Sequence, residues 1–238
     1  MTPRELFDRL LQADTQSEVL SYLQEAGYWD RDECWRPVGD NPGNRAIIGN
    51  QQEDAVSALA EKITNSVDAI LIDRCLTLGI DPRSAAAPQS MRAAIAKFFL
   101  NSDDENAGLS RYWGTDRLVT ESEKNTVSNL IWLSVTGSNK QPSLTIADRG
   151  EGQTPGSFPR TFMALVGFKH DDGRVESQKA EIRFVQGQFN MGSTGVYFYL
   201  CQPNHFQLLV SRRNPALLDA SSTPRDNEWG FTVVRRRK

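Results

Sequence analysis

Three polar residues, Glu61, Asn65 and Asp68, stand at i, i+4 and i+7 in a stretch that reads as helix, Ala60 to Ala69. At roughly 100° per residue they fall within about 60° of one another, so a carboxylate, a carboxamide and a second carboxylate share one face. Such a face suits a general base, an oxygen ligand for a hard cation and a polar anchor. It also suits an ordinary solvated stripe, because Val56, Leu59, Ile63, Val67 and Ile70 recur at the helical period on the other side and are expected on a core. A second group of residues follows a strand-like run: Asp148, then Gly150 and Gly152. Glycines there let backbone approach a ligand closely, and the carboxylate accepts hydrogen bonds, which suits an exocyclic amine. A third stretch, Gly187-Gln188-Phe189-Asn190-Met191-Gly192-Ser193-Thr194-Gly195, offers backbone N–H groups to an anion such as phosphate.

The elements that would position these residues are legible in outline. Thr2 to Glu5 and Thr15 to Glu18 are capping-box patterns, each followed by an apolar stripe, so two short helices precede the rest, the second closing at Gly27. Tyr28 to Asn50 is rich in Trp, Pro, Gly and Asn and reads as a loop. The helix carrying Glu61 is expected from about Gln51 to Leu78, and another from Met91 to Leu100. Leu130 to Thr136 and Leu144 to Ala147 should pair as antiparallel strands around the loop 137–142. A weaker helix is expected over Phe158 to Val166, then a polar, lid-like stretch whose Lys169 could reach a phosphate. Val196 to Leu200 follows the glycine-rich loop, and Phe206 to Ser211 and Trp229 to Val234 read as further strands.

Composition narrows the classes. The chain has 238 residues, is 39% hydrophobic and 24% charged, and carries a net charge of −3, which argues against a strongly basic nucleic-acid binder. Neither a transmembrane run nor a leader is visible, so a cytoplasmic location is expected. The cysteines Cys34, Cys75 and Cys201 lack metal-ligand spacing and read as reduced thiols. The basic ending Arg235-Arg236-Arg237-Lys238 directly after a strand suggests the N-terminal part of a longer protein, divided as 1–50, a helical extension and loop, and 51–238, the ligand-binding domain.

Glu-x-x-x-Asn-x-x-Asp-Ala on a helix, Asp-x-Gly-x-Gly after a strand, a polar lid-like stretch and a glycine-rich loop, in that order, resemble the Bergerat-fold ATPases. These form the GHKL superfamily of gyrase, large heat-shock chaperones, sensor histidine kinases, MutL and MORC-like proteins. Gly230-Phe231-Thr232-Val233-Val234 resembles the last strand of that family, and the resemblance covers about Gln51 to Val234. It implies an α/β (α+β) two-layer sandwich, a mixed sheet with helices on one face. It also implies Glu61 as the base that activates water, Asn65 as the Mg²⁺ ligand, and Asp68 as support for the adenine pocket. Asp148 would accept from the adenine amine, with Gly150 and Gly152 shaping the pocket and Thr232 near it. Gly187, Gly192 and Gly195, with Ser193 and Thr194, would hold phosphates. Asn190 departs from the glycine of many relatives, although asparagine tolerates positive φ.

The expectation is therefore a Mg²⁺-dependent ATPase, using ATP and Mg²⁺, that dimerises under nucleotide control. Phe189 to Ser193 is closer to MORC-like and bacterial relatives, which favours a DNA-directed or phage-defence setting with DNA or a defence protein as partner, and no membrane. The rivals are an ATP-gated interaction module with negligible turnover, and a chaperone-like or histidine-kinase-like member. Against the kinase, no histidine precedes the domain in a phosphoacceptor setting.

Overall fold

Local capping chemistry fixes the first two helices. In α1 (Pro3–Gln12) the Thr2 hydroxyl accepts from the Glu5 N–H while the Glu5 carboxylate accepts from the Thr2 N–H, and Thr15 and Glu18 repeat the exchange at α2 (Gln16–Glu25). A computed structural model describes residues 1–40, 54–104, 106, 128–163, 168–169, 175–176, 179, 181–187 and 204–236. Leu6 and Leu10 of α1 and Val19 and Leu23 of α2 are buried together with Phe206, against Leu208, Phe231 and Val233. The last three and Phe206 belong to β5 (Phe206–Ser211) and β6 (Gly230–Arg235), which pair antiparallel with Leu208 opposite Val233. Directly opposed residues share a face, so period-two alternation delivers one apolar side to the helices. At the edge of this core Trp29 meets Phe206 edge-on, and the Arg235 guanidinium lies 4.3 Å from the Trp29 ring and 3.7 Å from the Trp35 ring.

The long helix α3 (Ala55–Thr77) starts at Asp54, whose carboxylate accepts from the Val56 and Ser57 N–H groups, and α4 (Met91–Phe99) starts at Ser90. A second core joins Leu71, Ile72 and Cys75 of α3, Ala94 of α4, and Ile182, Phe184 and Val185. The expectation that one apolar face of α3, Val56 included, packs on a core needs correcting. Val56 is 76% exposed, whereas Ile70, Leu71, Ile72 and Asp73 are buried in succession. The helix is covered on several sides along its second half and on one side at its start, where Ala58 is buried beside exposed Val56 and Ser57, so a single amphipathic stripe does not describe it.

β1 (Ile131–Ser138) and β2 (Gln141–Asp148) form a hairpin, with Ile131 opposite Asp148 and Ser138 opposite Gln141. The connection is Asn139-Lys140, tighter than the expected loop 137–142. β3 (Phe168–Lys169) and β4 (Val175–Glu176) form a short antiparallel pair. A 3-10 turn over Pro155–Arg160 stands where a helix from Phe158 was expected, with Pro155 and Pro159 withholding N–H groups from an α-helical ladder. Among the described residues the organisation is α+β, with helices and three two-stranded antiparallel sheets. The N-terminal segment touches both larger hairpins: α1 and α2 pack on β5 and β6, while the Gln16 N–H at the start of α2 donates to Ser143 Oγ at 2.9 Å and the Thr136 hydroxyl donates to the carbonyl of Asp14, between the two helices. No helix among the described residues is long and apolar enough to cross a membrane.

Candidate functional site

Helix α3 carries two neighbouring polar clusters. In the first, Ser66 Oγ donates to Asp148 Oδ2 at 2.9 Å and the Gly150 N–H donates to Oδ1 at 3.0 Å. Asp148 is nevertheless exposed at the end of β2, so each oxygen keeps acceptor capacity for a ligand. The loop that follows lies directly on the helix. A Cβ on Gly150 would stand 2.5 Å from the Cβ of Ala69 and 2.8 Å from its carbonyl carbon, and the Glu151 N–H donates to the Ala69 carbonyl at 3.2 Å. Gly152 has φ +59°, and a Cβ there would meet the Arg212 carbonyl oxygen at 1.8 Å. Asp-x-Gly-x-Gly is thus required by close packing on both sides.

The second cluster gathers around Asp68, which is fully buried. Its Oδ1 accepts from the Gln186 N–H at 3.1 Å, and its Oδ2 accepts from the Gly187 N–H and from Lys179 Nζ, both at 2.8 Å. A buried carboxylate is tolerated when charge and N–H groups satisfy it, as here. Lys179 Nζ also donates to Asn65 Oδ1 at 3.2 Å. A Cβ on Gly187 would lie 2.5 Å from that same Oδ1, so glycine lets the chain settle on the polar face of α3. Asn65 Nδ2 faces Glu61 Oε1 at 3.5 Å.

Flanking pairs brace the arrangement. Arg213 Nη1 donates to Glu151 Oε2 at 2.6 Å, and Asn214 Nδ2 donates to Asp73 Oδ1 at 2.6 Å. Burial pushes the Glu151 carboxyl above its ordinary range, with Arg213 pulling it back. A cavity of about 1310 Å³ opens beside these clusters, and Asn65, Ser66, Asp148, Gly150, Gly152 and Lys179 are among its lining residues. That exceeds the roughly 300–1,000 Å³ typical of small-molecule sites, because the space also extends along Leu10, Val19, Phe206 and Leu208.

The structure therefore brings Glu61, Asn65, Asp68 and Gly187 into one chain of contacts, and Asp148 and Gly150 into a second on the same helix. Asp68 contacts the start of the Gly187 segment. Thr232 pairs with Leu209 across β5 and β6 and does not line the cavity, and neither do Glu61 and Asp68. Gly192, Ser193, Thr194 and Gly195 lie outside the described residues, as does the side chain of Lys169. Ser66 and Lys179 belong to the site although no motif marks them; Ser66 follows Asn65 directly, while Lys179 carries no sequence signal. Among the described residues no cluster of three or more His, Cys, Asp and Glu could hold a metal. Asn65 Oδ1 is a hard oxygen of the kind Mg²⁺ can take beside phosphate oxygens and water, and here it accepts from Lys179 Nζ. No protein-family model, no curated protein and no solved structure matches this chain.

Proposed function

We propose that the chain binds ATP with Mg²⁺ and hydrolyses it, as an ATPase domain of the Bergerat type. The observation that carries this reading is the Asp148 carboxylate, exposed to a cavity yet aligned by Ser66 and the Gly150 N–H, on the same helix that carries Glu61 and Asn65. Asp148 accepts from the exocyclic amine of adenine, and Gly150 and Gly152 let the loop after it pack closely on Ala69 and Arg212 and so fix its place. Asn65 Oδ1 would hold Mg²⁺, which when bound would neutralise the charge of the β- and γ-phosphates. Glu61 takes the proton of the water that attacks the γ-phosphate.

The finer architecture belongs to the same proposal: β1–β2 and β5–β6 are portions of one mixed sheet with α3 and α4 on one face. Two contacts favour it, because the ends of β2 and β5 converge where the Gln153 N–H donates to Ser211 Oγ at 2.9 Å and the Asn214 N–H donates to the Glu151 carbonyl at 2.9 Å. A phosphate role for Gly192, Ser193, Thr194 and Gly195 and a base-side role for Thr232 rest on the sequence resemblance alone, and Thr232 does not line the cavity. Nucleotide-controlled dimerisation, and action on DNA or in phage defence, rest on the sequence resemblance alone.

Phosphate release with ATP and Mg²⁺ tests the reaction. Wild type should release phosphate, and Glu61→Ala should lower the rate by about 10²–10⁴-fold, the usual contribution of a general base. One observation favours a second reading, an ATP-gated interaction module: Glu61 does not line the cavity, and its contact with Asn65 is long. Saturable ATP binding with equal, negligible release by both proteins would select that reading.

A further inference from the structure

We infer that Lys179 is a phosphate-binding residue of this site, held ready by Asp68 and released from Asn65 when a metal-bound polyphosphate enters. The inference rests on the nucleotide reading above but uses different atoms. An ammonium has three N–H donors. Lys179 spends one on Asp68 Oδ2 at 2.8 Å and one on Asn65 Oδ1 at 3.2 Å, and its side chain lines the cavity with 14% of its surface exposed.

The two contacts are unequal. Asp68 is a buried carboxylate that also accepts from Gln186 and Gly187, so the Asp68 bond anchors the lysine. The Asn65 bond is longer and goes to a neutral oxygen, the atom that a hard cation would take. Entry of the metal at Asn65 Oδ1 therefore frees an N–H beside the metal without breaking the anchor. A phosphate oxygen bridging metal and protein would lie within reach of that donor, and charge-assisted bonds of this kind are the strong ones.

Asp148 and Glu151 line the cavity together with the cations Lys62, Arg83, Arg160, Arg212 and Arg213; Lys179 joins them and is in contact with Asn65 and Asp68 of α3. Gly187 shapes the place as well, because a Cβ there would stand 3.0 Å from Lys179 Nζ.

Calorimetric titration of wild type, Lys179→Met and Lys179→Arg with adenosine, ATP and tripolyphosphate, each with Mg²⁺, tests the inference. Lys179→Met should weaken ATP and tripolyphosphate by roughly 10–100-fold while leaving adenosine within about twofold, and Lys179→Arg should recover part of the loss. If Lys179→Met does not fold, Asp68→Asn/Lys179→Met removes both charges and is held to the same ratio of ATP to adenosine. An unchanged ratio, or equal loss of all three ligands, would overturn the inference and make the pair purely structural. If wild type binds tripolyphosphate but gains nothing from the adenosine moiety, the adenine reading fails while Lys179 is still judged by its own variant. Wild type that binds none of the three would overturn both.

Discussion

Gly150 and Gly152 show how far a single missing Cβ reaches. A side chain at Gly150 must displace Ala69, which is backbone and Cβ of a buried helix, and at Gly152 it must displace the Arg212 carbonyl. Gly150→Ala should therefore cost about 1–3 kcal/mol of stability, as overpacking does, with Gly152→Ala costing more because positive φ adds strain. Urea unfolding of both variants checks the order. Glu151 gives a pH test. Its carboxyl is raised above 4.5, chiefly by burial, so the stability it contributes is full below 4.5 and is lost as pH rises through the higher folded value. Arg213, Asp73 and Lys179 are the charged groups that act on it. The melting temperature of Glu151→Gln minus that of wild type should therefore become less unfavourable as pH climbs above 4.5. A flat difference would contradict the assignment. At this scale the sequence singles out Asp148, Gly150 and Gly152 but hides why the glycines are needed, because Ala69 and Arg212 are remote in the chain.

The helices divide by how local their determinants are. The capping boxes of α1 and α2 are contained within four consecutive residues, which is why they can be read directly, and Thr15→Ala should cost about 0.5–2 kcal/mol in denaturant unfolding. Helix α3 is different. Its polar positions face inward because the 182–187 segment and the Asp148 loop fold over it, and periodicity carries no record of either. Val56 fails as a core residue because it faces away from what covers the first turn, where Ala58 is fully buried. The Asp68–Lys179 pair should be the most sensitive point of the element. Asp68→Ala leaves an ammonium and two N–H groups without their acceptor, and a loss of about 3–5 kcal/mol is expected, while Val56→Ala should fall within roughly 0.5 kcal/mol of wild type.

Across the molecule, the two N-terminal helices share a core with the β5–β6 hairpin, so residues 1–27 are part of the body that presents the site. Removing them would strip cover from Phe206, Leu208, Phe231 and Val233, and a shortened chain should aggregate or lose its cooperative melt in size-exclusion and calorimetric measurements. The presence of these helices is legible from their caps, but their target is not, because an apolar stripe does not name its partner. The nucleotide reading is decided most directly by which base the site accepts. Asp148 offers only acceptors when ionised, so it suits the amine of adenine and opposes the carbonyl that inosine carries at the same position. Mg²⁺-supported titration with ATP and inosine triphosphate should show ATP bound roughly 10–100-fold more tightly by wild type, and Asp148→Asn, which adds a donor, should narrow or reverse that preference. Equal affinity for the two nucleotides, or a preference untouched by Asp148→Asn, would contradict the assignment of this cavity to ATP.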